Sequence, residues 1–290
     1  MIQILADGII TGLTLAVLAL AFTTVYLPMR VFHVALAGVY SLVPFILWTS
    51  LKSGLDCYLA LFIAIIAGIA ISIACEVLNH APLESKHASD GAHLVSSLGL
   101  YIIIIQIIVL LWGSQTRMLR TGLDSHLEIR GVTLSRSQIT AAVGSAIVIA
   151  LFFVWLQRSR LGLQFRALAD NPVEFALRGY NVRRLRLAAF GIAGLLCSAS
   201  SLLVSYDLGF DPHGGLSALL LAVVAVIIGG RDSFIGPVLG GILIGIVRSE
   251  VVWFLSASWQ DAVTFFLLAT FLVIRPNGLL GYKRRLEANA

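Results

Sequence analysis

Arg248 and Glu250 sit deep in an apolar stretch, Ile-Leu-Ile-Gly-Ile-Val-Arg248-Ser-Glu250-Val-Val-Trp-Phe. A charge in hydrocarbon is costly, so it usually marks a polar path or an ion pair. Two residues apart on a helix, the two side chains point in different directions. Arg248 is therefore the candidate to line a cavity or to meet a carboxylate on another helix, while Glu250, nearer the helix end, can snorkel to the interface. His80, His87 and His93 flank a polar loop with Glu84 and Asp90. Their spacing matches no standard zinc pattern, so a solvated loop is preferred and no metal is expected. Asp207, Asp211 and His213 fall on a turn built from Asp-Pro and Gly-Gly. There is no G-x-x-x-x-G-K-[ST], no H-E-x-x-H and no G-x-S-x-G. Phosphate-loop ATPase, zinc peptidase and serine hydrolase chemistry are thus excluded, the chain reads as no enzyme with no cofactor, and any nucleotide chemistry has to come from another polypeptide.

A second kind of chemistry is docking. Residues 158–186, RSRLGLQFRALADNPVEFALRGYNVRRLR, carry seven arginines against Asp170 and Glu174. Within them Asn171 can cap a helix, Pro172 suits its first position, Glu174 favours its positive end and Gly179 supplies a stop. The spacing predicts a two-turn helix with Val173, Ala176, Leu177 and Tyr180 able to share one apolar face. A short amphipathic helix displayed outside a bilayer needs a partner to dock against. A glycine-rich junction, Gly229-Gly230-Arg-Asp-Ser-Phe-Ile-Gly236-Pro followed by Gly240, Gly241 and Gly245, reads as close helix packing, with a hinge beside a solute path as the alternative.

The elements that position these residues are dictated by composition. With 59% hydrophobic residues, 12% charged residues and a mean hydropathy of +0.95, the chain is a polytopic membrane protein. The net charge of +5 comes mainly from one loop and the C-terminus, which excludes a nucleic-acid surface. Cys57, Cys75 and Cys197 are scattered and predict no disulfide. The first apolar segment contains Asp7 and has no Lys or Arg before it, so it reads as a retained span rather than a cleaved signal peptide. Taking roughly twenty apolar residues per span, helices are expected at 4–26, 34–51, 57–79, 93–113, 137–157, 185–207, 216–229, 234–255 and 259–274. The expected fold class is all-α, with about nine transmembrane or re-entrant helices, eight to ten being possible, in a single domain over 1–290. Segment 34–51, with Gly38 and Pro44, and the short 216–229 are the re-entrant candidates. Placing 158–186 and the tail in the cytoplasm puts the N-terminus outside, with fourteen Lys and Arg on the inner segments and five on the outer ones. The polar 114–136 loop is expected to form a small outer cap.

In this setting the loop resembles that of the branched-chain amino acid ABC transporter permeases. The likeness is carried by Arg160-Leu-Gly-Leu-Gln-Phe-Arg166-Ala167-Leu-Ala-Asp-Asn171-Pro172 and Ala176-Leu-Arg-Gly179-Tyr-Asn-Val. It extends through Ser96-Ser97-Leu98-Gly99-Leu100, Gly131-Val132, Gly229-Gly230 with Ser233 and Gly236, Val238-Leu-Gly-Gly241, and Arg275-Pro-Asn-Gly-Leu279. The resemblance implies an inner-membrane importer subunit that works with a second permease chain, similar or identical, two cytoplasmic ATP-binding subunits and an extracytoplasmic solute-binding protein. It also implies that 158–186 is the coupling loop, with Arg166, Ala167, Asn171, Pro172, Val173, Glu174, Ala176, Leu177 and Gly179 at the ATPase contact. Two positions depart from the family pattern. His33-Val-Ala-Leu-Ala37-Gly38 stands where an Asn-x-Ala-His-Gly-Glu run is usual, and Arg248 stands where an acidic residue is common.

The expected function is thus the permease subunit of an ATP-driven importer for branched-chain or related amino acids. Urea, short amides or another small polar solute are alternatives, as is an ion-coupled secondary transporter. Interrupted helices expose backbone dipoles to a passing solute, so the path is expected between the segments His33–Pro44 and Leu216–Gly230. Its candidate residues are His33, Ala37, Gly38, Gly229, Gly230 and Arg248.

Overall fold

The computed structural model describes residues 1–120, 126–129, 132–170 and 172–280. Helix α1 (Ile2–Met29) is the axis of the bundle, packed chiefly on α10 (Gly236–Phe254) and α8 (Val182–Leu208). Its 28 residues run about 42 Å, longer than the hydrocarbon core of roughly 30 Å. The hydroxyls of Thr23 and Thr24 donate to the carbonyls of Ala19 and Leu20 at 2.7 Å, which removes two donors from a buried apolar face. Pro28 lies in the last turn, and Arg30 leaves the helix at φ 56°.

Small residues set how closely α1 and α10 approach. A Cβ at Gly245 would stand 2.4 Å from Gly12 Cα, and one at Gly12 would stand 2.7 Å from Ile242 Cα. Gly8 and Gly12, four apart on α1, face Gly241 and Gly245 on α10, so backbone meets backbone. The Ser249 hydroxyl reinforces the crossing by donating to Ile4 O at 2.8 Å.

The remaining spans follow in order: α2 (Leu36–Lys52), α3 (Cys57–Cys75), α4 (Asp90–Trp112), α5 (Arg136–Arg158), α9 (Gly214–Gly229) and α11 (Gln260–Ile274). α3 continues through a π-helical turn, Glu76–His80, and a short helix, Ala81–Ser85. Each expected span corresponds to a helix. Among the described residues seven are long and apolar enough to cross a membrane, and α2 and α9 are shorter apolar helices of 17 and 16 residues. The chain is an all-α polytopic membrane protein.

Two elements went beyond the sequence reading. Strands β1 (His126–Ile129) and β2 (Val132–Ser135) form an antiparallel hairpin ahead of α5. The basic stretch holds an eleven-residue helix, α6 (Arg160–Asp170), before the expected short one, α7 (Pro172–Leu177).

The helix ends sort into two faces. Gln3 bonds Thr133, joining the N-terminus to the hairpin, and Arg117 pairs its backbone with Phe210. This is the hairpin face. At the other end Arg30 meets Asp232, Arg186 meets Glu76, and Leu279 and Leu280 donate to Ile228 and Gly229. This is the basic face.

Candidate translocation cavity and docking surface

A cavity of about 620 Å³ opens beside α1 toward the hairpin face. Its upper wall sets the polar Gln3, Asp7 and Thr11 from α1, Arg248 from α10 and Gln260 from α11 among the apolar Leu208, Val252 and Trp253. Its deeper wall is aliphatic, with Leu15 and Leu18 from α1, Val204 from α8 and Leu221 from α9. Tyr40 and Ser200 also reach it.

The polar wall is held by pairing. Arg248 Nη1 donates to Asp261 Oδ1 at 2.7 Å, and Nη2 donates to Gln260 Oε1 at 3.2 Å. Gln260 in turn donates its Nε2 to Arg248 O at 3.3 Å. The guanidinium therefore ties α10 to the first turn of α11 while one side borders the cavity, which meets both sequence alternatives for this residue at once. Asp7 is held by Gln3 Nε2 at 3.2 Å from each carboxylate oxygen.

Of the six path candidates, Arg248 lines this cavity and the other five lie in packed contacts. Ala37 and Gly38 are buried where α2 meets its neighbours: Ala37 O would stand 2.2 Å from a Cβ at Gly215, and Ile104 lies against Gly38. Gly229 presses on Gly236, whose carbonyl would stand 1.8 Å from an added Cβ, and Gly230, at φ 117°, lies beneath Gly278. Tyr40, Ala218 and Leu221, from the two segments expected to flank the path, border the cavity, whereas Asp7, Thr11 and Leu18 on α1 are not among the expected path residues. The polar residues Gln3, Asp7, Thr11 and Thr14 recur every three or four positions along the first half of α1, and that was the available signal.

His33 sits in a chain of imidazoles on the basic face. His80 Nδ1 lies 3.1 Å from His93 Nδ1, and His80 Nε2 lies 3.3 Å from His33 Nδ1. The central ring uses different nitrogens toward its two neighbours, so the three do not converge on a point where a cation could bind. Burial, and then the neighbouring His80, hold the His33 imidazole well below its ordinary pKa. His93 also approaches Glu84 at 3.8 Å. Beside them Arg186 forks onto the buried Glu76, with Nε to Oε1 at 2.6 Å and Nη2 to Oε2 at 3.3 Å, and reaches Glu84 at 3.0 Å. The loop expected to be solvated is therefore anchored through two of its histidines.

The basic stretch is built onto this platform. Ser159 Oγ accepts from Gly162 N at 2.8 Å at the start of α6, and Phe165 and Leu168, three apart, bury one face of that helix. Phe165 meets the Trp155 ring edge-on at 5.5 Å. Phe175 on α7 is buried and stacks on Tyr180, so the apolar face that holds α7 includes a residue the sequence reading left out. Leu177 projects outward at 81% exposure beside the exposed Arg178, and Gly179 ends the segment at φ 77°. Arg166 and Ala167 lie on the exposed side of α6. Asn171 and the side chains of Pro172, Val173 and Ala176 lie outside the described residues. Glu174 is exposed and pairs with Arg178 at 3.9 Å.

A bundle of apolar helices beside a cavity lined by both polar and aliphatic residues, with a basic amphipathic segment at the opposite face, fits a membrane permease. Residues 4–272 match the family described as branched-chain amino acid transport system / permease component, and the chain belongs to that family. It is 30% identical to the high-affinity branched-chain amino acid transport system permease protein BraD of Pseudomonas aeruginosa, over 97% of this chain and 95% of that protein. It is 25% identical to the corresponding LivH of Escherichia coli over the same shares. Among solved structures it is similar to PsaBC from Streptococcus pneumoniae in complex with Fab, with a TM-score of 0.53, covering 93% of this chain and 91% of that one. At 13% identity this last likeness concerns the fold alone.

Proposed function

We propose that this chain is the membrane-spanning subunit of an ATP-driven importer whose solutes are branched-chain or related amino acids. The cavity beside α1 carries this reading: its Asp7 and Arg248 can meet an ammonium and a carboxylate, and Leu15, Leu18, Val204 and Leu221 suit an aliphatic side chain. Urea and short amides have no group to fill that apolar depth. An ion-coupled carrier is less well supported, because Asp7 and Asp261, the carboxylates nearest the cavity mouth, lie within two turns of a helix end.

In this reading the hairpin face and the N-terminus are extracytoplasmic and the basic face is cytoplasmic, as the concentration of Lys and Arg supports. ATP-binding subunits dock on α6 and α7 around Leu177, a second permease chain completes the path, and an extracytoplasmic binding protein delivers solute at the hairpin face. This chain supplies no ATPase of its own. Uptake of labelled leucine and labelled urea by cells with and without the intact chain tests the solute class. Loss of leucine uptake alone is expected, whereas loss of urea uptake alone removes the amino-acid reading.

A further inference from the structure

Helix α1 touches two cavities. Asp7, Thr11, Thr14 and Leu18 border the large one, and Phe22 and Tyr26, the next two positions at the same spacing, border a smaller one of about 140 Å³ at the basic face. Steps of three or four residues keep all six on one side of a helix. Along α9 the order is the same, with Ala218 and Leu221 on the large cavity and Val223, Val226 and Ile227 on the small one, but there the two sets lie on different sides of the helix. Only one turn of α1, about 6 Å of rise, separates Leu18 from Phe22.

That turn leads into an aromatic plug. Phe22 is 2% exposed, meets Phe32 edge-on at 4.9 Å and stacks on Tyr26 at 5.5 Å. Beyond it, Arg30 spans from the α1–α2 link to the α9–α10 link, where its Nη2 reaches Asp232 Oδ1 at 2.9 Å. Its guanidinium carbon also lies 5.8 Å from the Tyr26 ring centre. Arg231, next to Asp232, borders the small cavity. The helix end that carries this pair contains Pro28, which has no N–H to give the preceding turn, and the left-handed Arg30. This is a place where α1 can bend.

We propose that the solute's route follows this side of α1 from the large cavity to the small one, that Phe22 and Tyr26 close it in this state, and that the Arg30–Asp232 pair latches the closure. The proposal rests on the transport reading above and gives it a course and a gate. The large cavity is then an outward vestibule, and release at the basic face requires the two links to part. The pair is partly exposed, so the latch is weak enough to open in each cycle.

The test places single cysteines in a chain whose Cys57, Cys75 and Cys197 have been replaced. In native membrane vesicles of both orientations, an impermeant thiol reagent is expected to label Thr11→Cys only from the hairpin side. Tyr26→Cys should label slowly from the basic side, and Asp232→Asn should raise that rate several-fold while leaving the rate at Thr11→Cys unchanged. As a second measurement, Arg30→Cys with Asp232→Cys, joined through two disulfides by a short bis-methanethiosulfonate reagent in the assembled complex, should cut uptake at least tenfold, and reductant should restore it. Unchanged Tyr26→Cys labelling, or normal uptake by the joined complex, would overturn the latch. If the double variant does not transport even when reduced, the labelling rates decide the matter. Failure of the transport reading would show separately, as no ATP-dependent uptake by the unsubstituted complex.

Discussion

Gln3 grips Thr133 with both ends of its amide: Nε2 donates to Thr133 O at 3.0 Å, and Oε1 accepts from Thr133 N at 2.9 Å. The side chain thus acts as one more rung on the edge of β2, and its Nε2 also reaches Asp7. One residue couples the hairpin to the polar wall of the large cavity. Gln3→Glu replaces the donor with a second acceptor and sets a second carboxylate beside Asp7, so it is expected to free the hairpin while leaving the bundle intact. Hydrogen exchange in 132–135 should rise at least several-fold with unchanged exchange in α1, and protection equal to the unsubstituted protein would disprove the coupling.

Arg248 and Asp261 give a second expectation. Removing the guanidinium with Arg248→Ala frees α11 from α10 and leaves the cavity without its cationic wall, so uptake per assembled complex should fall at least fivefold. Asp261→Asn keeps an acceptor for Arg248 and should fall by less. A structural pair with no part in transport would instead give equal losses in both variants, matched by equal losses of assembled protein.

The Arg186–Glu76 fork is buried, with side chains 9% and 2% exposed. Removing one partner strands the other charge, which costs about 3–5 kcal/mol. Arg186→Met should accordingly lower thermal stability in detergent strongly, and adding Glu76→Leu should recover most of the loss, because the one carboxylate then left without its arginine, Glu84, is exposed to solvent. A double variant no more stable than the single one would mean that the fork is not the source of the loss.

Leu177, at 81% exposure, is the most exposed apolar residue among the described ones of the basic segment. Leu177→Asp touches no core contact and should leave stability within about 0.5 kcal/mol. It should nonetheless weaken ATPase docking, read as reduced recovery of ATP-binding subunits with the tagged permease. Undiminished recovery would move the docking surface elsewhere.

How much of this was legible beforehand depended on the kind of signal. Apolar runs of about twenty residues placed every span, because hydrocarbon thickness sets their length independently of tertiary detail. Arg248 stood out because a charge in such a run is rare. The cavity on α1 was less visible, since Gly38 and Pro44 suggest a break in α2, which is one continuous helix, whereas Asp7, Thr11 and Thr14 disrupt nothing and matter only by sharing a side. The glycines at 229 and 230 were ambiguous by nature, for a small residue permits both tight packing and a hinge; here they pack on Gly236 and Gly278. α6 is hidden in the sequence because Asn171-Pro172 reads as a helix start, which makes the eleven residues before Asn171 read as loop. The imidazole chain of His33, His80 and His93 joins residues from three separate segments, which spacing along the sequence cannot foretell.

The central claim is that the cavity between α1 and α9 carries an amino acid in an ATP-driven import cycle. The most direct measurement is uptake of labelled leucine into proteoliposomes holding the complete transporter and binding protein, with and without ATP, for the unsubstituted chain and for Ala218→Trp, which fills the cavity from α9. ATP-dependent uptake that falls at least tenfold in Ala218→Trp, at equal amounts of assembled complex, is the expected result. Uptake that needs no ATP, or that proceeds at the full rate past the tryptophan, would contradict it.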